Sequence, residues 1–300
     1  MGRPTIRIRG SDPLSSSDLL QFLFAGITSG TIYALVALGF CVVHNTMGIV
    51  NFVQVDFVSL GGLLMFSALF TFNLPMGAAL VVAVAATALV AVIVERIGLR
   101  PARSNDPLIL IFLTIGLSII LRGIMALIWG KNRMALPGLG ADEPLQIGGA
   151  ALMPQTLWIL GLTLVAILIL AWFFRCTGLG LAMRAVSSNP TAAAIVGLHI
   201  GRVRAASFAL AGALGGLAGI LVTPITTLSY DVGILLGLKG FAAAILGGFG
   251  SFPGAIIGGL LLGLLESLTA GYFSSAYKDV VAFVVLLLVL FVRPQGLLAK

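Results

Sequence analysis

Five polar residues, Asn51, Gln54, Asp56, Lys239 and Glu266, stand inside or against long apolar stretches of the sequence. Amide and ionisable side chains at membrane depth are costly unless they face water, a cavity or one another, so each is a candidate for the wall of a solute path. Other readings compete. Lys239 and Glu266 also fit a structural ion pair or interfacial positions, and Asp56 fits a helix N-cap at a chain break. The remaining reactive residues assemble into no catalytic set. Cys41 and Cys176 are isolated thiols without metal-like spacing, and His44 and His199 sit at the ends of apolar runs. No HExxH, GxSxG or paired-aspartate motif occurs, and no glycine-rich segment ends in Gly-Lys-Ser or Gly-Lys-Thr. The residues point to passage rather than to reaction, with no enzyme activity, metal or cofactor expected on this chain.

What must position such residues is a membrane bundle. Hydrophobic residues make up 59% of the 300 and charged residues 9%, against roughly 45–50% and about 25% in soluble domains. Phe57 to Val94, Pro144 to Phe174, Ala205 to Tyr230 and Gly240 to Leu265 contain no acid, Lys or Arg. Each run approaches or exceeds the roughly 20 residues that cross the hydrocarbon as a helix. The net charge of +7 comes from 17 scattered Lys and Arg in the short connections. Topology accounts for them without nucleic acid.

The spacing predicts spans over Leu19 to Val43, Met76 to Val94, Leu108 to Trp129, Leu152 to Phe174, Ala205 to Val222, Gly254 to Ala270 and Tyr272 to Val292. The run from Leu19 is too long for a signal peptide and lacks a small-residue cleavage site. Phe57 to Val94 would measure about 57 Å as one helix, so it must break, and Asn73-Leu74-Pro75 is the place. Its first half spans only if it starts near Ile49, which carries Asn51, Gln54 and Asp56 into the membrane. Val232 to Phe249, with Lys239-Gly240 at its middle and GGFGSFPG at its end, reads as a broken or re-entrant element. The expected fold is an all-α polytopic membrane protein of about eight to nine transmembrane helices with one or two such elements. Residues 1–18 form a tail and residues 19–297 a single transmembrane domain. Glycines spaced at four, such as Gly212/Gly216 and Gly259/Gly263, are suited to close helix packing.

Positive-inside logic puts the loop 175–204, with Arg175, Arg184, Arg202 and Arg204 and no acid, in the cytoplasm, and Gly130 to Met153 outside. Arg293 and Lys300 place the C-terminus inside. The N-terminal side stays open: Arg3, Arg7 and Arg9 favour the cytoplasm, whereas a full crossing over about residues 50–72 requires the opposite. Within the loop, Asn189 as N-cap and Pro190 as first residue start a short helix, Thr191 to Val196, which Gly197 can end. Its side chains are small or apolar, so it needs either its own bundle or a partner to cover it.

GLGLAMRAVSSNPTAAAIVGL resembles the cytoplasmic loop of permeases in the branched-chain amino acid ABC transporter family. The likeness continues in GITSGTIYALVALGF, MGIVNFVQVDFVSLGG, GLKGFAAAILGGFGSFPGAIIGG and FVRPQGL, in order from about residue 19 to 297. The resemblance implies a coupling helix, with Arg184, Asn189, Pro190, Ala193, Ala194 and Gly197, that docks on an ATPase subunit. It further implies two ATP-binding subunits that hold the ATP, a paralogous second permease, a periplasmic solute-binding protein and a multi-pass location in the bacterial plasma (inner) membrane. The implied cargo is a branched-chain amino acid or a related small polar solute. A secondary transporter or channel is the alternative reading. One departure concerns the path: the family has a small residue and then glycine after Asn-Phe, where this chain has Val53-Gln54-Val55-Asp56.

Overall fold

The structure, a computed structural model, describes residues 16–102, 106–140, 143–147, 149–272, 274–293 and 295–298. Arg3, Arg7, Arg9, Arg103, Lys300 and most of the tail 1–18 lie outside the described residues. The elements run α1 (Ser16–Met47), α2 (Gln54–Phe70), α3 (Met76–Val94), a π-helical turn (Glu95–Leu99), α4 (Pro107–Trp129), β1 (Leu145–Ile147), β2 (Ala150–Leu152), α5 (Pro154–Cys176), α6 (Gly178–Ser188), α7 (Pro190–Ile195), α8 (Ile200–Val222), α9 (Val232–Gly247), α10 (Phe252–Tyr272) and α11 (Lys278–Val292). Among the described residues six helices, α1, α3 with its π turn, α4, α5, α8 and α10, are long and apolar enough to cross a membrane, whereas α2 and α9 are shorter apolar helices. β1 and β2 form a small antiparallel hairpin in the connection before α5.

α1 is the axis of the bundle, and most of its apolar length is buried. Glycine lets its neighbours approach it closely. A methyl group added at Gly263 of α10 would lie 2.3 Å from the Gly30 nitrogen of α1, so the two backbones touch directly, as small residues allow where lipid supplies no hydrophobic drive. α8 approaches α2 in the same way: a methyl at Gly219 would lie 1.8 Å from the Val58 carbonyl oxygen. The outer helices α3, α4 and α5 instead present large apolar side chains outward, among them Leu89, Phe112, Leu127 and Trp172. Such a surface is suited to hydrocarbon.

The break in the second apolar run falls where the sequence puts it. α2 ends at Phe70, Asn73 takes a left-handed φ of 50°, and extended Pro75 precedes α3. Several boundaries differ from expectation, α8 among them, which starts at Ile200 instead of Ala205. α1 extends through His44 to Met47, because the polar residues at its end are accommodated by packing. α11 starts at Lys278 instead of Tyr272 and has 15 residues. Between α10 and α11, Tyr277 N donates to Ser274 O in a turn. The expected interruption at Lys239-Gly240 does not occur, since α9 is one continuous helix of 16 residues. Gly240 is retained mid-helix because a methyl there would meet Val36 of α1 at 2.4 Å, and the Lys239 charge is neutralised within the bundle. The irregular backbone lies on either side of α9 instead.

The end of α1 lies beside α7, sharing a cavity wall with it, and its start lies beside the hairpin, where Ala151 N donates to Gln21 Oε1 at 3.0 Å. α1 therefore runs from the hairpin end of the bundle to the α7 end.

Candidate functional site

The short helices α2 and α9 begin inside the bundle with their first turns in contact. Gly233 N of α9 donates to Ser59 Oγ of α2 at 2.8 Å, and a methyl at Gly237 would meet Val55 Cγ1 at 2.3 Å. Gln54, the first residue of α2, donates from Nε2 to the carbonyl oxygen of Ala211 at 3.1 Å. Ala211 lies near the middle of α8, so α2 starts at the depth of that helix's midpoint. Gln54 is fully buried and seated between Gly39 of α1 and Gly215 of α8. Asn51 is also fully buried, and its Oδ1 accepts from Val53 N at 3.2 Å. Asn51 Nδ2 and Gln54 Oε1 have no hydrogen-bond partner.

Asp56 does not cap α2. It lies in the first turn, where Val53 is the N-cap residue, and its carboxylate is held from α4: Arg122 Nε donates to Oδ1 at 3.0 Å and the Ser118 hydroxyl donates to Oδ2. Arg122 also donates to Ser118 Oγ at 2.9 Å. One stripe of α4 carries these groups together with Thr114 Oγ1, which accepts from Phe52 N at 3.2 Å, and Trp129 Nε1, which donates to Ser67 Oγ at 2.7 Å. The spacing of 114, 118, 122, 125 and 129 is one helical face, with Met125 filling it as a fully buried apolar contact. The sequence reading missed Arg122. The signal was present, since it is an arginine inside the apolar run from Leu108 to Trp129.

Lys239 and Glu266 come together with residues that the sequence reading did not select. Lys239 Nζ stands 2.6 Å from Glu266 Oε1 and 2.7 Å from Asp279 Oδ1 of α11. The Tyr33 hydroxyl of α1 donates to Glu266 Oε2 at 2.7 Å, and Lys239 Nζ lies 5.6 Å from the centre of the Tyr33 ring. One ammonium thus sits between two carboxylates, and the ion-pair reading accounts for both selected residues. Glu95, in the π-helical turn, is another omission. It is fully buried, and neither carboxylate oxygen has a hydrogen-bond partner.

At the opposite end of the bundle from the hairpin, Asn189 Oδ1 accepts from Ala192 N at 2.9 Å and caps α7, which starts at Pro190. Gly197 follows with φ 88°, a conformation in which a side chain would be strained. α7 covers Pro190–Ile195 rather than Thr191 to Val196, and a second helix, α6, precedes it where the sequence suggested only loop. α6 is capped by Thr177 Oγ1, which accepts from Gly180 N at 3.0 Å. Ala193 points into its own bundle and is 3% exposed, whereas Ile195 and Val196 are 81% and 74% exposed. Arg184, Asn189, Pro190, Ala194 and Gly197 are exposed too. Behind α7 a cavity of about 670 Å³ is lined by His44, Gly48, Pro190, Ala194 and Arg204. Thus α7 packs on α6 and α8, faces the end of α1 across this cavity and presents an apolar tip outward.

A bundle of helices long and apolar enough to cross a membrane, polar side chains at its interior breaks and a capped helix with an exposed apolar tip at one end fit a transport permease. The chain belongs to the family described as branched-chain amino acid transport system permease component, whose model matches residues 22–290. It is 36% identical over 297 residues to the high-affinity branched-chain amino acid transport system permease protein LivH of Escherichia coli strain K12, covering 94% of this chain and 96% of that protein. It is 33% identical over 294 residues to BraD of Pseudomonas aeruginosa, described in the same words, with 94% and 96% covered. The ribose import permease protein RbsC of E. coli is 32% identical over 155 residues, which span 49% of this chain and 47% of RbsC. The chain is accordingly a multi-pass permease subunit of the plasma membrane, of the ABC type.

Proposed function

We propose that this subunit passes branched-chain amino acids, or small polar solutes of similar build, across the plasma membrane, driven by two ATP-binding subunits that dock on α7. A paralogous permease and a periplasmic solute-binding protein complete the importer in this reading. The observation that carries it is the outward apolar tip of α7, Ile195 and Val196, on an Asn189-capped helix whose other face packs on α6 and α8. An exposed apolar helix on the aqueous side requires a partner, and a push on it reaches α1 through α6, which packs on both. Alternating access then follows as a rearrangement between two packed states.

The breaks flanking α2 and α9 support a path near their meeting point. Asn51 and Gln54 keep polar atoms unpaired for the solute, while Asp56, Lys239 and Glu266 brace the helices around it. In this reading α2, α9 and α11 are embedded with the six longer helices, for about eight or nine crossings in all. Co-expression with the candidate ATPase subunits, followed by purification and uptake of radiolabelled leucine into proteoliposomes, tests the proposal. ATP-dependent uptake is the expected result, and passage without ATP or any ATPase would favour a channel or secondary transporter.

A further inference from the structure

We infer that the first turn of α2 is a subsite for the charged end of a zwitterionic solute, with Asn51 Nδ2 donating to its carboxylate and Gln54 Oε1 accepting from its ammonium. The inference rests on the translocation reading above. Each of these amides is half satisfied. Asn51 Oδ1 is occupied by Val53 N at 3.2 Å, and Gln54 Nε2 is occupied by the Ala211 carbonyl at 3.1 Å. These bonds fix which atom of each amide remains open: a donor at residue 51 and an acceptor at residue 54. Both residues are 0% exposed, and neither open atom has a partner. Buried amide atoms are nearly always paired, so two orphans of opposite kind in one turn need a reason.

Their chemistry matches the two ends of an α-amino acid. Gln54 N donates to Asn51 O at 3.2 Å, so the two residues share one backbone turn. The field there also suits the carboxylate, because the N-termini of α2 and α9 converge and each is the positive end of a helix dipole. Asp56 does not oppose an anion, since Arg122 neutralises it. Lys239 is likewise committed, held between Glu266 and Asp279. Gln54 is seated in a slot where a methyl on Gly39 would lie 2.1 Å from its Nε2 and one on Gly215 would lie 2.9 Å away. The subsite is therefore closed in this conformation. It opens when the first turn of α2 withdraws from α1 and α8.

The test uses the whole importer in proteoliposomes, reading leucine accumulated per ATP hydrolysed. Gln54→Leu fills the slot without an amide, and the ratio should fall about tenfold for loss of one hydrogen bond to a charged group, with assembly and thermal stability unchanged. Gln54→Glu keeps an acceptor for the ammonium while losing the bond to the Ala211 carbonyl, and should keep more of the ratio than Gln54→Leu. Asn51→Leu should lower it as Gln54→Leu does. An unchanged ratio in the two leucine variants overturns the inference. So does a loss of assembly in both, or an equal fall with Gln54→Glu, because each makes the residues structural. A wild-type importer that moves no zwitterion is a separate failure, that of the underlying reading, and the subsite falls with it.

Discussion

Arg122 Nε of α4 lies 3.0 Å from Asp56 Oδ1 of α2, and this pair fastens a peripheral helix to the interior of the permease. α4 exposes most of its surface, so few buried apolar contacts hold it. Removing one partner leaves the other charge in a site built for neutrality, at a cost of about 3–5 kcal/mol. Arg122→Ala and Asp56→Ala should each lower the amount of inserted protein and its melting temperature. Replacing both by leucine should recover much of the loss, because a packed apolar pair has no charge to desolvate. Fluorescence size-exclusion of the four proteins against temperature checks this. Equal instability in the double variant would mean that the pair contributes more than neutralisation.

The outward tip of α7 makes a different prediction from its buried side. Ile195→Glu places a charge on a surface exposed in the isolated chain, so insertion and folding should be unaffected while capture of the ATPase subunits and uptake are lost. Ala193→Glu puts the charge against the permease's own core, where Ala193 is 3% exposed. It should reduce the folded protein itself. Pull-down of the ATPase normalised to folded permease separates the two, and similar behaviour of both variants would contradict the assigned faces.

The Lys239 cluster is asymmetric, with one buried ammonium serving two carboxylates and Lys278 Nζ standing 3.7 Å from Glu266 Oε1. Lys239→Met orphans Asp279 and leaves Glu266 only the more distant Lys278 and the Tyr33 hydroxyl, whereas Glu266→Gln leaves Asp279 to pair with Lys239 and keeps an acceptor for Tyr33. The methionine variant should therefore be the less stable, by about 3–5 kcal/mol relative to wild type if it behaves as a broken buried pair. The glutamine variant should lose less. Added salt should change neither difference much, because a buried pair is poorly screened. Thermal unfolding in detergent at low and high ionic strength measures the order, and a reversed order would sink the shared-lysine account.

Charge-free runs were enough to read the bundle, and Asn73-Leu74-Pro75 was enough to read the break between α2 and α3. Asn189-Pro190 and Gly197 likewise announced α7, because caps and terminators act locally. Lys239-Gly240 misled for the complementary reason: a glycine beside a charge looks like a break until a helix such as α1 is found pressed against it. Asp279, Tyr33 and Arg122 escaped notice because their roles depend on which helices become neighbours. Ser118 and Arg122 could have been flagged as a polar i, i+4 pair in an apolar run, but nothing local named Asp56 as their partner. The unpaired atoms of Asn51 and Gln54 are a property of packing alone.

Glycine spacing gave the right helices without saying which positions are contacts, and the structure now separates them. Gly219 faces the Val58 carbonyl at 1.8 Å from where a methyl would sit, and Gly258 faces the Ala243 carbonyl at 2.2 Å. Backbone cannot yield as a side-chain tip can, so alanine at either position must push helices apart. The expected cost is about 1–3 kcal/mol for overpacking. Gly116 and Gly123 of α4 have nothing within 4 Å of such a methyl and no positive φ. Alanine there removes a poor helix former from an exposed face and should be neutral or stabilising by up to about 1 kcal/mol. Melting temperatures of the four single variants, each compared with wild type in one detergent, give the contrast directly. Destabilisation at Gly116 or Gly123 comparable to that at Gly219 would show that α4 packs against a surface beyond the one in this subunit, as a second permease would provide.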